Sequence, residues 1–211
     1  DKTGTLTKNN LQISLLSFSS SFYSESAWNS QFPGETFCKA ISEIFSVTSG
    51  IYSLDQETLV SPEDQENLMK QLGGRAVDKS VLKFLFQTKR PFNHSRLQPK
   101  IIKSINSSAT QNLFNCVVVF EEESKRCTLY FKGNTDYLFG RSNQMICDRG
   151  LVEITSEDKV NIRAQLNKVK QSMRSVTLAK KIFENIGSQE EALRILNFDE
   201  IDTFLLQVSD I

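Results

Sequence analysis

Soft metal ligands are scarce in this 211-residue chain: one histidine, His94, and four cysteines, Cys38, Cys116, Cys127 and Cys147. No two cysteines form a C-x-x-C pair, so the common zinc constellations cannot be assembled. Scattered cysteines predict reduced thiols in a cytosolic setting. An excess of charge of one sign is also lacking, because 25 basic side chains balance 25 acidic ones. That balance argues against nucleic acid or an anionic membrane as the main partner, since both demand a concentrated basic footprint. One local basic run, from Lys159 to Lys181 with Arg163, Lys168, Lys170 and Arg174 between, is read mostly as a solvated helix face. No apolar run approaches the roughly 18–20 residues that span a bilayer, and no signal peptide is recognisable. The chain opens on Asp1 rather than Met, so we expect an excised piece of a longer protein whose membrane part lies outside it.

What is present is a mixture of strand and helix patterns. Alternation of Leu11, Ile13 and Leu15 predicts a strand within Leu11–Phe18. Ser17–Ser30 reads as a loop containing a short helix, and Gln56–Glu66 as a surface loop. Phe37, Ala40, Ile41, Ile44 and Phe45 fall at helical spacing within Glu35–Val47. Gly73 and Gly74 stop a short helix and precede another, striped by Val77, Val81, Leu82, Leu85 and Phe86. From Lys100 onward the pattern turns toward strands. Cys116–Phe120 and Cys127–Phe131 flank a charged turn, Glu121–Arg126, and predict a hairpin. Ser156 is the expected cap of a helix with Glu157 and Asp158 in its first turn, striped by Ile162, Leu166, Val169 and Met173. Ser175–Ile182 reads as a strand, Gln189–Leu196 as a short helix and Phe204–Val208 as a last strand. The expected class is α/β (α+β), an antiparallel sheet flanked by helices.

The sharpest signal is Asp1-Lys-Thr-Gly-Thr-Leu-Thr7. A carboxylate attacks a phosphoryl group only if its charge is offset by Mg²⁺ and by nearby donors. Lys2, Thr3 and Thr5 provide such donors, and Gly4 allows a tight turn. The segment resembles the phosphorylation motif of P-type ATPases at all seven positions. A phosphatase of the haloacid dehalogenase type would carry a second Asp, the general acid–base, where Thr3 stands. Without that base the phosphoenzyme lives longer, which suits a pump. The resemblance implies Asp1, Lys2 and Thr3 as catalytic residues, with Mg²⁺ held at Asp1 and Thr3.

Further segments resemble the family's nucleotide-binding domain. Phe131-Lys-Gly-Asn134 is similar to its K-G-A segment, which implies Lys132 and Gly133 beside the nucleotide; read alone, Lys132 is an ordinary surface lysine. Met173-Arg-Ser-Val-Thr-Leu-Ala179 is similar to L-R-T-L-A-L-A, where Arg174 presents a planar donor fork to phosphates. Gly74-Arg-Ala-Val-Asp-Lys-Ser-Val-Leu82 resembles a degraded G-x-x-T-E-x-A-L-L, putting Asp78 at the adenine amino group; read alone, Asp78 is a first-turn helix carboxylate. The family's F-N-S-x-R-K stretch has its best counterpart in Ile105-Asn-Ser-Ser-Ala-Thr110, implying nucleotide contacts at Ile105, Asn106 and Ser107. Phe92-Asn-His-Ser-Arg96 is closer letter by letter but comes too early and has no strand behind it. With Ile105 the stacking ring is gone, and Ala109 and Thr110 carry no charge. Base stacking is worth ~1–3 kcal/mol, so weakened ATP binding is expected.

Lys39–Ser49 and Phe86–Arg90 resemble plasma-membrane-type calcium pumps, and Leu205–Asp210 resembles the return to the phosphorylation domain. The resemblance therefore implies residues 1–10 as the start of a phosphorylation domain, 11–203 as the nucleotide-binding domain and 204–211 as the return. It implies ATP and Mg²⁺ as cofactors, cation transport with calcium as the ion, and a cytoplasmic location in an integral membrane protein. The implied partners are the remaining phosphorylation, actuator and transmembrane domains; the piece itself is expected to be monomeric and inactive. The alternatives are a domain of a lipid-translocating P-type ATPase and a regulatory domain with degraded nucleotide binding.

Overall fold

The computed structural model describes residues 11–18, 21–24, 35–51, 61–73, 75–87, 100–106, 114–147, 150–170, 173–196 and 203–205. In chain order the elements are β1 (Leu15–Phe18), β2 (Ser21–Ser24), α1 (Glu35–Ser49), α2 (Pro62–Gln71), α3 (Ala76–Gln87), β3 (Ile101–Asn106), β4 (Phe114–Glu121) and β5 (Arg126–Asn134). These are followed by α4 (Thr135–Arg141), β6 (Gln144–Cys147), β7 (Gly150–Glu153), α5 (Ser156–Val169), β8 (Val176–Phe183), α6 (Gln189–Arg194) and β9 (Thr203–Leu205). β1 and β2 form their own antiparallel ribbon, and seven strands make the main sheet in the order β3-β4-β5-β8-β9-β6-β7. All pairings in it are antiparallel except β6 with β9. The expected class, an antiparallel sheet flanked by helices, is the one found.

β4 and β5 are buried along most of their length on both faces, which is why Cys116-Val-Val-Val-Phe120 is a continuous apolar run rather than an alternation. On one face Val117, Val119, Tyr130 and Leu178 pack against Phe37, Ile41, Ile44 and Phe45 of α1 and Val81, Leu82 and Leu85 of α3. On the other, Cys116, Val118, Leu129, Phe131 and Ala179 pack with Leu138 of α4, Ala192 of α6 and Ile186 in the link between β8 and α6. A third cluster joins Ile162 and Leu166 of α5 to Phe139, Met145 and Ile154. The β4–β5 turn closes with Lys125 at φ +52° and a fork from Arg126 Nη2 to both oxygens of Glu121 at 2.7 and 2.9 Å.

The structure departs from the sequence expectations at several places. Ser21–Ser24, expected within a loop with a helix, is a strand paired with β1. The expected loop Gln56–Glu66 contains the start of α2, where the Ser61 hydroxyl accepts from Asp64 N–H at 3.1 Å and Pro62 occupies the first helical position, where its missing donor is no loss. The cap of α5 is Thr155 rather than Ser156: its hydroxyl accepts from Asp158 N–H at 3.1 Å, and Asp158 accepts from Thr155 N–H at 3.0 Å, a reciprocal capping box. Met173 lies past the end of α5. The last strand is Thr203–Leu205; the rest of the expected Phe204–Val208 lies outside the described residues. Lys181, counted in the basic run, is a buried residue of β8 with its ammonium 5.2 Å from the Phe183 ring centroid. α4, β6 and β7 were not foreseen. No helix among the described residues is long and apolar enough to cross a membrane.

Burial raises the Cys116 thiol well above its ordinary value, the neighbouring Cys127 adding to the effect, and it pushes Cys127 up to about 11. Burial, then the Glu43 charge and hydrogen bond, raise the Tyr130 phenol likewise. In each case the fold favours the protonated form. These contributions to stability are complete below the ordinary values of 9.0 and 10.0 and are lost as pH climbs from there toward the raised values. Urea midpoints should therefore fall steadily above about pH 9, and Tyr130→Phe should flatten the part of that fall above about pH 10. A midpoint unchanged up to about pH 11 would contradict this account.

Candidate functional site

α3 starts after the turn at Gly73, whose φ is +55°, a conformation that glycine adopts without penalty. That turn puts Asp78 in the first helical turn of α3, on the side that meets the sheet. Only 3% of Asp78 is exposed. Its Oδ1 lies 2.7 Å from Lys132 Nζ, with 15% of the lysine side chain exposed. Lys132 also donates to the Ser49 hydroxyl at 3.3 Å. Arg75 Nη1 lies 3.4 Å from Asp78 Oδ2 and donates to the Ser49 carbonyl at 3.0 Å. The carboxylate thus ties together the C-terminal end of α1, the start of α3 and β5.

Strand register carries the group further. Asn106 of β3 pairs with Asn115 of β4, Asn115 with Lys132 of β5, and Lys132 with Leu178 of β8. Opposed residues in such a row share a face, and Leu178 belongs to the cluster under α1 and α3, so this is the face of Asp78. Gly133 follows Lys132, opposite Phe114 and Thr177. Arg174 is exposed in the link between α5 and β8, two residues before Val176, which pairs with Asn134. The end of β3, the start of β4, the end of β5 and the start of β8 therefore coincide, and Asn106, Lys132, Gly133 and Arg174 all stand there.

Ile105 does not join them. It pairs with Cys116 and packs against the cluster on the opposite face of the sheet, with Ile102 and Tyr137. Asp1, Lys2, Thr3 and Ser107, and with them Ala109, Thr110 and the Phe92–Arg96 segment, lie outside the described residues. Among the described residues no three His, Cys, Asp or Glu side chains are grouped to hold a metal ion. Three members of the cluster escaped the sequence reading: Ser49, Arg75 and Asn115. Only Asn115 had a legible signal, as the single polar residue inside the run Phe114–Phe120. The side-chain oxygen of Asn115 is buried and has no hydrogen-bond partner among the described residues. Asn134, which follows Gly133, plays a structural part, since its side chain accepts from Tyr137 N–H at 3.0 Å and caps α4.

Breaking a buried pair from one side strands the other charge. Asp78→Ala should cost about 2–4 kcal/mol in urea denaturation, the low side of the range because Lys132 keeps some access to water. Removing both charges, in Asp78→Ala/Lys132→Met, should cost less than Asp78→Ala alone. A single-variant change within about 0.5 kcal/mol, as at an ordinary surface site, would mean that the pair is not closed in solution.

The sequence pattern of the family described as "P-type ATPase, cytoplasmic domain N" matches residues 50–206. Among curated proteins, the sodium/potassium-transporting ATPase subunit alpha-4 of Rattus norvegicus is 28% identical over 136 residues, which is 63% of this chain and 13% of that protein. The chain thus spans a small fraction of the length of this relative. With a family match over well more than half of its residues and the flanked antiparallel sheet already described, the chain belongs to the P-type ATPase family, as its cytoplasmic domain N.

Proposed function

We propose that this chain docks ATP for a cation-transporting P-type ATPase and presents the γ-phosphate to Asp1. The observation that carries the reading is the 2.7 Å contact of Asp78 with Lys132, two residues drawn from separate motif segments, at the strand ends where Asn106, Gly133 and Arg174 also stand. Asp78 serves the adenine end. Lys132 and Arg174 supply charged donors to phosphate oxygens, the arginine as a planar fork. Ile105 and Ser107 belong to the same docking segment as Asn106, but the ring that would stack on the base is missing at Ile105. In the transfer step a carboxylate oxygen of Asp1 bonds to the γ-phosphorus as the bond to the β–γ bridging oxygen breaks and ADP leaves. Lys2 and Thr3 would steady the acceptor, and Asp1 and Thr3 would hold a Mg²⁺ ion, which would offset the phosphate charge.

In domain terms, 1–10 opens the phosphorylation domain, 11–203 is the docking domain and 204–211 leads back, with its first two residues still pairing in the sheet. The parent would be a membrane-embedded pump whose remaining phosphorylation, actuator and transmembrane domains are the partners. Calcium is proposed as its ion from the likeness of 39–49 and 86–90 to plasma-membrane-type calcium pumps; the matched relative is named for sodium and potassium. A second reading, a regulatory domain with little nucleotide affinity, is favoured by the opposite facing of Ile105.

An ATP titration followed by amide chemical shifts tests both. The docking reading expects shifts at Asn106, Lys132, Gly133 and Arg174 with a Kd of about 1 mM, equivalent to roughly −4 kcal/mol. Absence of any shift at tens of millimolar ATP would favour the regulatory reading, and a Kd of about 1 μM would mean that the base is held by contacts other than those named. Incubation with γ-labelled ATP should leave no hydroxylamine-sensitive label on this chain alone.

A further inference from the structure

If ATP docks as proposed above, its phosphates rely on Arg174, an exposed residue in a chain link rather than in a helix or strand. An exposed side chain on such a link must be held by something else if it is to meet a ligand in one place. We infer that Asp136 is a positioning residue that fixes the link carrying Arg174 by way of Lys170. Asp136 lies in the first turn of α4, and Lys170 caps the C-terminal end of α5. The Lys170 ammonium meets both carboxylate oxygens of Asp136.

Two closures bracket Arg174. On its C-terminal side Val176 pairs with Asn134, and the next residue, Thr177, donates its hydroxyl to that of Thr135 at 3.1 Å. On its N-terminal side Lys170 is bound to Asp136, and Met173 N–H donates to the Val169 carbonyl at 3.0 Å. The α5 ladder therefore reaches the residue before Arg174. Both closures land on Asn134–Asp136, the step from β5 into α4 that directly follows Lys132 and Gly133. The two segments that bear the proposed phosphate donors are thus stitched together on either side of Arg174. A short link tied at both ends has given up conformational freedom before a ligand arrives, and a preorganised donor binds more tightly than a loose one.

The pair does little for stability, because 31% of the Lys170 side chain and 64% of the Asp136 side chain are exposed. A plainer account is that each charge complements its own helix end, acid at the start of α4 and base at the end of α5. The two accounts differ in sign at the ligand. As a mere charge, a carboxylate at this edge repels phosphates, and removing it would free the Lys170 ammonium to attract them. As a clasp, it strengthens binding despite its charge.

The test is the same chemical-shift titration with ATP on the 211-residue chain. Asp136→Asn and Lys170→Met should each weaken ATP binding about 2- to 5-fold, the span that an exposed pair can supply. Their melting temperatures should stay within about 3 °C of the unaltered chain. The swap Asp136→Lys/Lys170→Asp, which restores the pair in reverse, should return the affinity to within about 2-fold. In an Arg174→Gln background, already weaker for ATP, Asp136→Asn should change nothing further, because its effect runs through Arg174. Without ligand, Asp136→Asn should lower the backbone order parameters of Met173 and Arg174 and leave those of Lys132 and Gly133 as they were. Tighter ATP binding in Asp136→Asn, an equal loss with and without Arg174, or unchanged order at Met173 and Arg174 overturns the assignment, and the docking reading survives each of these. Failure of the unaltered chain to bind ATP removes the docking reading itself, and the assignment with it.

Discussion

Burial of β4 and β5 on both faces is the constraint from which the rest follows. A strand covered above and below has no solvent side, so its residues are mostly apolar where a layer lies over them: Cys116–Phe120 is apolar throughout, and Cys127–Phe131 departs only at the small Thr128 and at the phenol of Tyr130, which is hydrogen-bonded to Glu43. The amide and ammonium side chains of these two strands stand where cover runs out. Asn115 and Lys132 mark that edge on the α1–α3 side, and both are paired across the same row. The candidate site is therefore placed by the end of the core. α1 is fixed over the sheet by a polar strut of its own: Tyr130 donates to Glu43 at 2.8 Å, and Lys180, which pairs with Tyr130 across the sheet, reaches the same carboxylate at 3.2 Å. That strut holds the helix whose last residue, Ser49, receives Lys132 and Arg75.

Period-two alternation then divides the end of β3. Neighbouring residues on a strand point to opposite faces, so Ile105 and Asn106 cannot both serve one pocket wall. The register gives Asn106 to the Asp78 face and Ile105 to the cluster with Phe114 and Tyr137. On that second face Tyr137 is already engaged, 5.2 Å from the Phe114 centroid and 3.9 Å from the Arg141 guanidinium carbon. Its ring is part of the packing that seats α4.

The fold was legible where a pattern ran for several turns or on both arms of a hairpin. α1, α3, the β4–β5 hairpin, α5 and β8 were placed to within a few residues because their apolar positions outnumber their ambiguities. β2 was hidden because Ser21–Ser24 is too short to show alternation against a serine-rich background. α4 was hidden because seven residues, Gly140 among them, give no second turn of a stripe. β6 and β7 gain their strand form from the sheet they enter, a tertiary effect that local propensity does not encode, whereas the apolar run from Phe204 signalled the last strand, β9. Of the site, Lys132, Gly133, Arg174 and Asp78 could be named from motif segments, but their meeting at one set of strand ends could not. Letters 54 positions apart say nothing of a shared face; Asn115 and Ser49 matter only through register and helix length. Asp1–Thr7, the sharpest sequence signal, lies outside the described residues, so its chemistry rests on the motif.

Charge accounting at Lys132 decides how a phosphate can use it. The ammonium is already matched by Asp78, so a phosphate that drew it away would leave a carboxylate that is 3% exposed with Arg75 alone. Stranding a buried charge in that way costs several kcal/mol, comparable to the whole binding energy of a millimolar ligand. The alternative is sharing. A lysine has three N–H donors; Asp78 and Ser49 take two, which leaves one for a phosphate oxygen without breaking the pair. Held from behind in this manner, Lys132 acts as an oriented donor more than as a free charge. On the proposed docking reading, the attraction that draws phosphates to this edge would come chiefly from the exposed guanidinium of Arg174.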